Sequence, residues 1–390
     1  MTSRFVLHRV DNAKRTGPGL YLHALRKYNI KPTKELRPKH FQFLVQASSA
    51  TRQGREPVDD FDHDVEYVGI VKVGTPPQIL HLDFDTGSSD SWVNSTLQPS
   101  EQRTKHSAFD PEKSTSFKKL PDLQWKIHYG DDSTAHGVVG TDTVNLGGIE
   151  IKEQAVQLAE FASPMFVRGK DDGLLGLAWG KINTVKPTRV KTVMENMIEQ
   201  GLLIEPIFAV KLVHEGPGEY TFGFVDESIV AGDIHYTKVD NSKGFWTVDS
   251  ATAKINGKVI HRPLNNKAVI DTGTTLALVD DDLIEKIYAT IPGSKYDAEQ
   301  GGYVIPSGST GPSIELAIGG RYFQIPRSAF SFAPLDDGSN MDFGAFQSRG
   351  DFDSDLLGDV FLKYVVAIFD QGKTRFGCAR RRDVKYDSHC

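Results

Sequence analysis

Two short passages of this chain repeat one another 186 residues apart, and that repetition constrains the fold more than any other feature. Leu82-Asp83-Phe84-Asp85-Thr86-Gly87-Ser88-Ser89 is echoed by Ala268-Val269-Ile270-Asp271-Thr272-Gly273-Thr274-Thr275. Each is an apolar run that ends in Asp-Thr-Gly and then two hydroxyl residues. A lone Asp-Thr-Gly arises by chance in about one chain in ten of this length and reads as a capped turn. Two copies in matched contexts do not. Asp172-Gly173-Leu174-Leu175-Gly176 lies downstream of the first copy and Asp355-Leu356-Leu357-Gly358 downstream of the second. The spacing is one domain's worth of chain, so two related lobes fit better than a short-period solenoid.

The residue types state what such a pair can do. An apolar strand carries its loop tip into poorly solvated surroundings, where an ionised Asp is costly and is protonated or paired instead. If the two tips meet, like-charge repulsion splits their titrations. One carboxylate ionises at low pH while the other keeps its proton, and a base and an acid share one site. Gly87 and Gly273 let the backbone turn tightly and bring N–H groups to the carboxylates. The Ser88 and Thr274 hydroxyls are expected to donate to the outer carboxylate oxygens and aim the inner ones at a water. That water attacks a peptide carbonyl while the protonated partner supports the oxyanion, with no covalent intermediate. Activity is therefore expected at acidic pH.

The rest of the chain suits this frame. From residue 66 onward it consists of short runs rich in Val, Ile, Phe and Thr, broken by Gly and Pro, which predicts a mainly-β body. Strand runs are 67–73, 79–84, 138–146, 207–212, 220–224, 247–255 and 365–369. The best helices are 19–28, 191–200 and 281–289. No stretch approaches the roughly 18 uninterrupted apolar residues of a membrane helix, so no membrane role is expected. Net charge is −6, but residues 1–55 hold 12 Lys/Arg against 2 Asp/Glu. A basic block on an acidic body is either a nucleic-acid arm or a segment that docks on its own domain. Leu20-Tyr21-Leu22 and Ala24-Leu25 are apolar enough to pack, which favours docking. Residues 47–64 read as an exposed linker open to cleavage.

Other chemistries lack their signatures. There is no His-Glu-x-x-His, and the 12 histidines are scattered, so no metal is expected. No Gly-x-Ser-x-Gly elbow and no nucleotide fingerprint occur, and no cofactor is implied. Nucleic acid is not expected as a partner, because no reading motif accompanies the basic block. The two cysteines, Cys378 and Cys390, can close one small C-terminal loop but build no disulfide framework. Asn94-Ser95-Thr96 is a glycosylation sequon. Residues 1–10 contain no apolar stretch of the signal-peptide kind.

By its motifs the chain resembles the pepsin-like aspartic endopeptidases, and most of all their fungal secreted members. Residues 84–93 are similar to the first active-site loop of that family and residues 270–275 to the second. Ile127-His128-Tyr129-Gly130-Asp131 resembles the flap, a hairpin that closes over substrate. The resemblance implies that Tyr129 bonds to Trp92 and that Gly130 and Asp131 help hold substrate. It implies that Thr86 and Thr272 reach across to the opposite loop, and that Gly87, Ser88, Gly273, Thr274 and Thr275 support the carboxylates of Asp85 and Asp271. It also makes the basic segment an inhibitory propeptide, with Lys27 and Tyr28 at the acid pair. Departures stand out. Asp132 replaces a flap glycine, Ser91 a leucine, and Ser307 stands where a cysteine of the second-lobe disulfide is expected.

These readings imply a bilobal, mainly-β fold of two barrel-like lobes around a cleft, with a few short helices. Propeptide and linker span 1–56, and the lobes span 57–235 and 236–390. The implied function is an acid endopeptidase in zymogen form, cleaving beside bulky apolar residues. Its implied partners are polypeptide substrates and its own propeptide, and the implied state is a monomer. The family setting is extracellular or secretory; with no signal segment visible, an intracellular form is the alternative. A member of the fold that binds peptides without cleaving them is the main competing reading, against which stand both Asp residues and their supporting hydroxyls.

Overall fold

The structure is a computed structural model that describes residues 3–6, 8–9, 16–36, 67–104, 106–128, 134–163, 166–167, 171–214, 216, 218–335 and 337–387. The 47–64 linker, residues 129–133 of the expected flap, and Cys390 lie outside the described residues.

Each acid residue sits at the end of an apolar strand. Strand Gln78–Asp85 alternates, with Leu80, Leu82 and Phe84 buried, so one face enters the core and the strand delivers Asp85 at its tip. It pairs antiparallel with Tyr67–Val73 and parallel with Gly173–Gly176, which brings Gly176 opposite Asp85. Ser91–Val93 pairs antiparallel with the far side of Gly173–Gly176. The long strands Lys118–His128, Thr134–Leu146 and Ile149–Ala162, with His8–Arg9 on the edge beside Tyr67–Val73, complete an eight-stranded sheet, and pairing of Tyr67–Val73 with Thr134–Leu146 curls it toward closure.

The second half repeats this plan. Strand Lys267–Ile270 is followed directly by Asp271 and pairs parallel with Ser354–Leu357, with Ile270 opposite Leu357. Ala277–Val279 then packs antiparallel on Ser354–Leu357. The two Leu-Leu-Gly triplets are the strands threaded beside the two acid loops. The result is a bilobal, mainly-β molecule.

A six-stranded sheet joins the halves. It places Val365–Asp370 between Ile207–Lys211 and Arg375–Arg381, with Val230–Lys238 on one edge and Ser3–Val6 on the other. Phe208 stacks on Phe369 at 4.6 Å across the join, and Trp246 meets both edge-on. A division between residues 235 and 236 therefore falls inside a strand, because the sequence carries no turn signal there to mark it. The run 247–255 is likewise two strands, Thr247–Asp249 and Thr252–Ile255, in different sheets, where the chain leaves one sheet for the other.

The expected helices form close to their predicted bounds. Gly17–Lys27 is capped by the Thr16 hydroxyl, which accepts from Gly19 N–H at 3.3 Å, and Pro18 occupies its first turn. Val193–Glu199 has a full capping box from Thr192 and Glu195. Asp281–Tyr288 starts at Asp280, whose carboxylate accepts from Leu283 N–H. Asn94 is only 3% exposed, its backbone tied to Asp172 and Phe109, so the folded chain offers no attachment point for a glycan at that sequon. Cys378 is a buried free thiol in strand Arg375–Arg381.

Candidate active site

The two Asp-Thr-Gly loops meet. Thr86 N–H donates to Thr272 Oγ1 at 3.0 Å, and Thr272 N–H donates to Thr86 Oγ1 at 3.0 Å. Each hydroxyl then donates to a carbonyl on the opposite strand: Thr86 to Ile270 at 2.9 Å and Thr272 to Phe84 at 2.6 Å. A serine would keep these bonds but lack the methyl group that restricts χ1 and holds the hydroxyl in place. The backbone closes on the carboxylates as expected. Gly87 N–H donates to Asp85 Oδ1 at 2.7 Å, and Gly273 N–H to Asp271 Oδ1 at 3.0 Å. A Cβ on Gly87 would lie 2.5 Å from Asp271 Oδ1, and one on Gly273 would strike Asp85 Oδ1. Only glycine permits two carboxylates to approach across this seam.

Asp85 and Asp271 are both fully buried, and Lys27 bridges them. Its ammonium donates to Asp85 Oδ1 at 2.8 Å and to Asp271 Oδ2 and Oδ1 at 3.0 and 3.2 Å. Tyr28 OH adds a bond to Asp271 Oδ2 at 2.9 Å, its ring held between Phe245 and Phe352 at 5.3 and 5.4 Å. Burial pushes Asp85 above the usual carboxylate range; the Lys27 charge offsets part of this, and the neighbouring Asp271 adds to it. Burial also opposes ionisation of Asp271. There the Lys27 ammonium, with bonds from Asp85, Thr274 and Lys27, outweighs it and holds the group low. Burial works against the Lys27 ammonium, yet the two carboxylates raise its pKa.

The supporting hydroxyls divide. Thr274 Oγ1 donates to Asp271 Oδ2 as expected. Ser88 does not do the same for Asp85: its Oγ is out of solvent and has no partner among the described residues. Asp85 Oδ1 takes the Lys27 ammonium and the Gly87 N–H. Thr275 is buried and its carbonyl accepts from Val360 N–H at 3.0 Å. Trp92 stacks on Trp125 at 5.8 Å, and its Nε1 has no partner among the described residues. Tyr129, Gly130 and Asp131 lie outside the described residues.

A buried ion network behind the second loop escaped sequence reasoning. Arg262 bonds to Asp280 and, at 2.8 Å, to Asp355. Arg349 reaches Asp355 at 2.8 Å and Asn266 at 2.6 Å. Asp355 lies in the strand Ser354–Leu357, parallel to the one that leads into Asp271, so the network fixes the bed of the second loop. The only signal was Asp355 itself, at the head of its Leu-Leu-Gly triplet. Among the described residues no group of three or more His, Cys, Asp or Glu could hold a metal ion, and no helix is long and apolar enough to cross a membrane.

Paired buried carboxylates on two cross-braced loops, one from each lobe, are the equipment of an aspartic peptide-bond hydrolase. Residues 66–381 match the family model of eukaryotic aspartyl proteases. Aspergillopepsin-1 of Aspergillus pseudoglaucus is 41% identical over 334 residues, covering 85% of this chain and 83% of its own. Penicillopepsin-2 of Penicillium janthinellum is 38% identical over 363 residues, covering 93% and 87%. The chain belongs to the eukaryotic aspartyl protease family, among its pepsin-like fungal members, and is an aspartic endopeptidase acting on polypeptides.

Proposed function

We propose that the chain is the zymogen of this endopeptidase, with Asp85 and Asp271 as its catalytic carboxylates and residues 1–56 as a removable inhibitory prosegment. The observation that carries this reading is the Lys27 ammonium, bonded to both carboxylates in the place an attacking water must occupy. With Lys27 there, one ammonium engages both carboxylates and no general base is free. Once Lys27 leaves, repulsion between the carboxylates retains one proton between them. The ionised member then takes a proton from water, the water attacks the carbonyl carbon, and the protonated member donates to the developing oxyanion. Proton donation to the leaving nitrogen completes cleavage.

Acid is the trigger by sign. The Lys27 charge lies beside the dyad only in the docked form. Losing that charge raises the proton affinity of Asp271, so falling pH favours release. The depressed pKa of Asp271 supports docking fully above its ordinary value of 3.8, and this support drains away as pH falls through the depressed value.

The Tyr28 ring, seated between Phe245 and Phe352 beside the dyad, supports a preference for bulky apolar residues at the cleavage site. Resemblance to the fungal secreted enzymes supports an extracellular, monomeric enzyme. Incubation at acidic pH should shorten the chain near residues 47–64, and Asp85→Asn should abolish both shortening and peptide hydrolysis. Persistent hydrolysis by Asp85→Asn would remove the dyad from the mechanism. Mass spectrometry of a protein digest should find cuts beside large apolar residues; cuts mainly beside small or charged ones would refute the preference.

A further inference from the structure

Past the dyad the prosegment stays on the body, crossing the C-terminal lobe. Lys31 is clamped in both directions by Asp351: its N–H donates to Asp351 Oδ1 at 2.8 Å, and Asp351 N–H donates to its carbonyl at 3.0 Å. Tyr296 OH donates to the carbonyl of Glu35 at 3.1 Å. These bonds hold main chain and do not read sequence. Thr33 adds a hydroxyl bond to Asp281 at 2.5 Å.

Lys34 is held by its side chain. Its ammonium lies 2.7 Å from Glu285 Oε1 and 5.8 and 5.7 Å from the ring centroids of Tyr296 and Tyr303. The receptor does not depend on Lys34 for its shape. Tyr303 stacks on Tyr288 at 4.5 Å and meets Tyr296 edge-on at 5.4 Å. Tyr288 is buried, and its OH is fixed to the carbonyl of Phe346 at 2.7 Å. Glu285 stands on the same capped helix as Tyr288. This corner therefore persists when the prosegment departs. Its ring faces attract a cation at any acidity, which suits an enzyme that works in acid.

We propose that Glu285, Tyr296 and Tyr303 form an accessory subsite that seats a lysine or arginine side chain of a polypeptide substrate, remote from the scissile bond. The proposal rests on the reading of residues 1–56 as a removable prosegment. Asp351 and the Tyr296 hydroxyl would grip the extended substrate main chain on either side of that residue, as they now grip residues 31 and 35. Lys34 follows Lys27 by seven positions, which sets the reach from the dyad at several residues.

The test uses the full chain after acid activation and a set of fluorogenic peptides sharing one apolar scissile core. One peptide holds the core alone; the others place lysine or norleucine five to nine residues from the scissile bond on either side. At one position lysine should raise kcat/KM about fivefold over norleucine, the size expected of an exposed ion pair plus cation–π contact. Glu285→Gln should lower that advantage to twofold or less, and Glu285→Gln combined with Tyr296→Leu should abolish it. The core peptide should be cleaved equally by all three enzymes. Lysine without advantage at every position, or an advantage untouched by the double variant, would overturn the subsite and leave the corner a latch for the prosegment alone. Failure to cleave the core peptide after acid treatment would instead strike the zymogen reading, and the subsite with it.

Discussion

Replacing Lys27 by Met tests the proposal that the N-terminal segment silences the dyad. The Lys27 side chain is 6% exposed and bonds to both carboxylates. Removing one member of a buried, hydrogen-bonded ion cluster costs about 3–5 kcal/mol, because the charges left behind stay buried. That cost does not free the prosegment at neutral pH. Leu20, Tyr21, Leu22 and Leu25 of its helix are buried as well, and each contributes about 1.5–3 kcal/mol to docking. The variant should remain shut at pH 7 and open earlier on acidification. Each proton taken up on release couples pH to docking at about 1.4 kcal/mol per unit. With one proton held by the released pair, 3–5 kcal/mol moves the midpoint of activation upward by about two to four pH units. The assay is the initial rate of self-shortening against pH, followed by gel and by a fluorogenic peptide, with Lys27→Arg as the charge-conserving control. A midpoint that stays put or moves downward in Lys27→Met would refute the assignment of Lys27 as the neutralising cation.

Two further perturbations probe the frame that holds the acids. Thr272→Val removes one hydroxyl that serves both loops and leaves the buried Thr86 N–H unpaired. It should cost about 2–4 kcal/mol of stability and lower kcat more than it raises KM, read by denaturant unfolding and steady-state kinetics. Unchanged unfolding would show that the cross-brace contributes nothing. Arg262→Met strips Asp280 and Asp355 of their shared partner and should destabilise the C-terminal lobe by about 3–5 kcal/mol. A thermal midpoint equal to that of the parent chain would mean that Arg349 and Asn266 satisfy Asp355 unaided.

Part of this molecule was legible before any coordinates. Asp85 and Asp271 were legible because a carboxylate at the tip of an apolar strand, twice over, has few structural uses. The helix starts at Thr16, Thr192 and Asp280 were legible to within a few residues because caps are local, and the alternating strands because burial on one face imposes a period of two. The run 247–255 misled because its apolar pattern continues through a point where the chain changes sheets, and no Gly or Pro marks the step. Ser88 misled because a hydroxyl three residues after each Asp looks equivalent in sequence, while only Thr274 turns its oxygen to the carboxylate. Asn94 misled because a sequon carries no information about burial.

The sequence by itself determined the chemistry: two acids, their glycine approaches, and a basic apolar segment able to dock on an acidic body. Those features depend on residue type and near-neighbour order, which a linear text preserves. The tertiary structure decided who meets whom. It put Lys27 between carboxylates that lie 58 and 244 residues away, joined Arg262 to Asp355 across 93, and set Lys34 against Glu285 across 251. Such contacts arise because strands from distant parts of the chain share sheets and bury common cores, and side-chain pairing across those seams leaves no periodic trace along the chain.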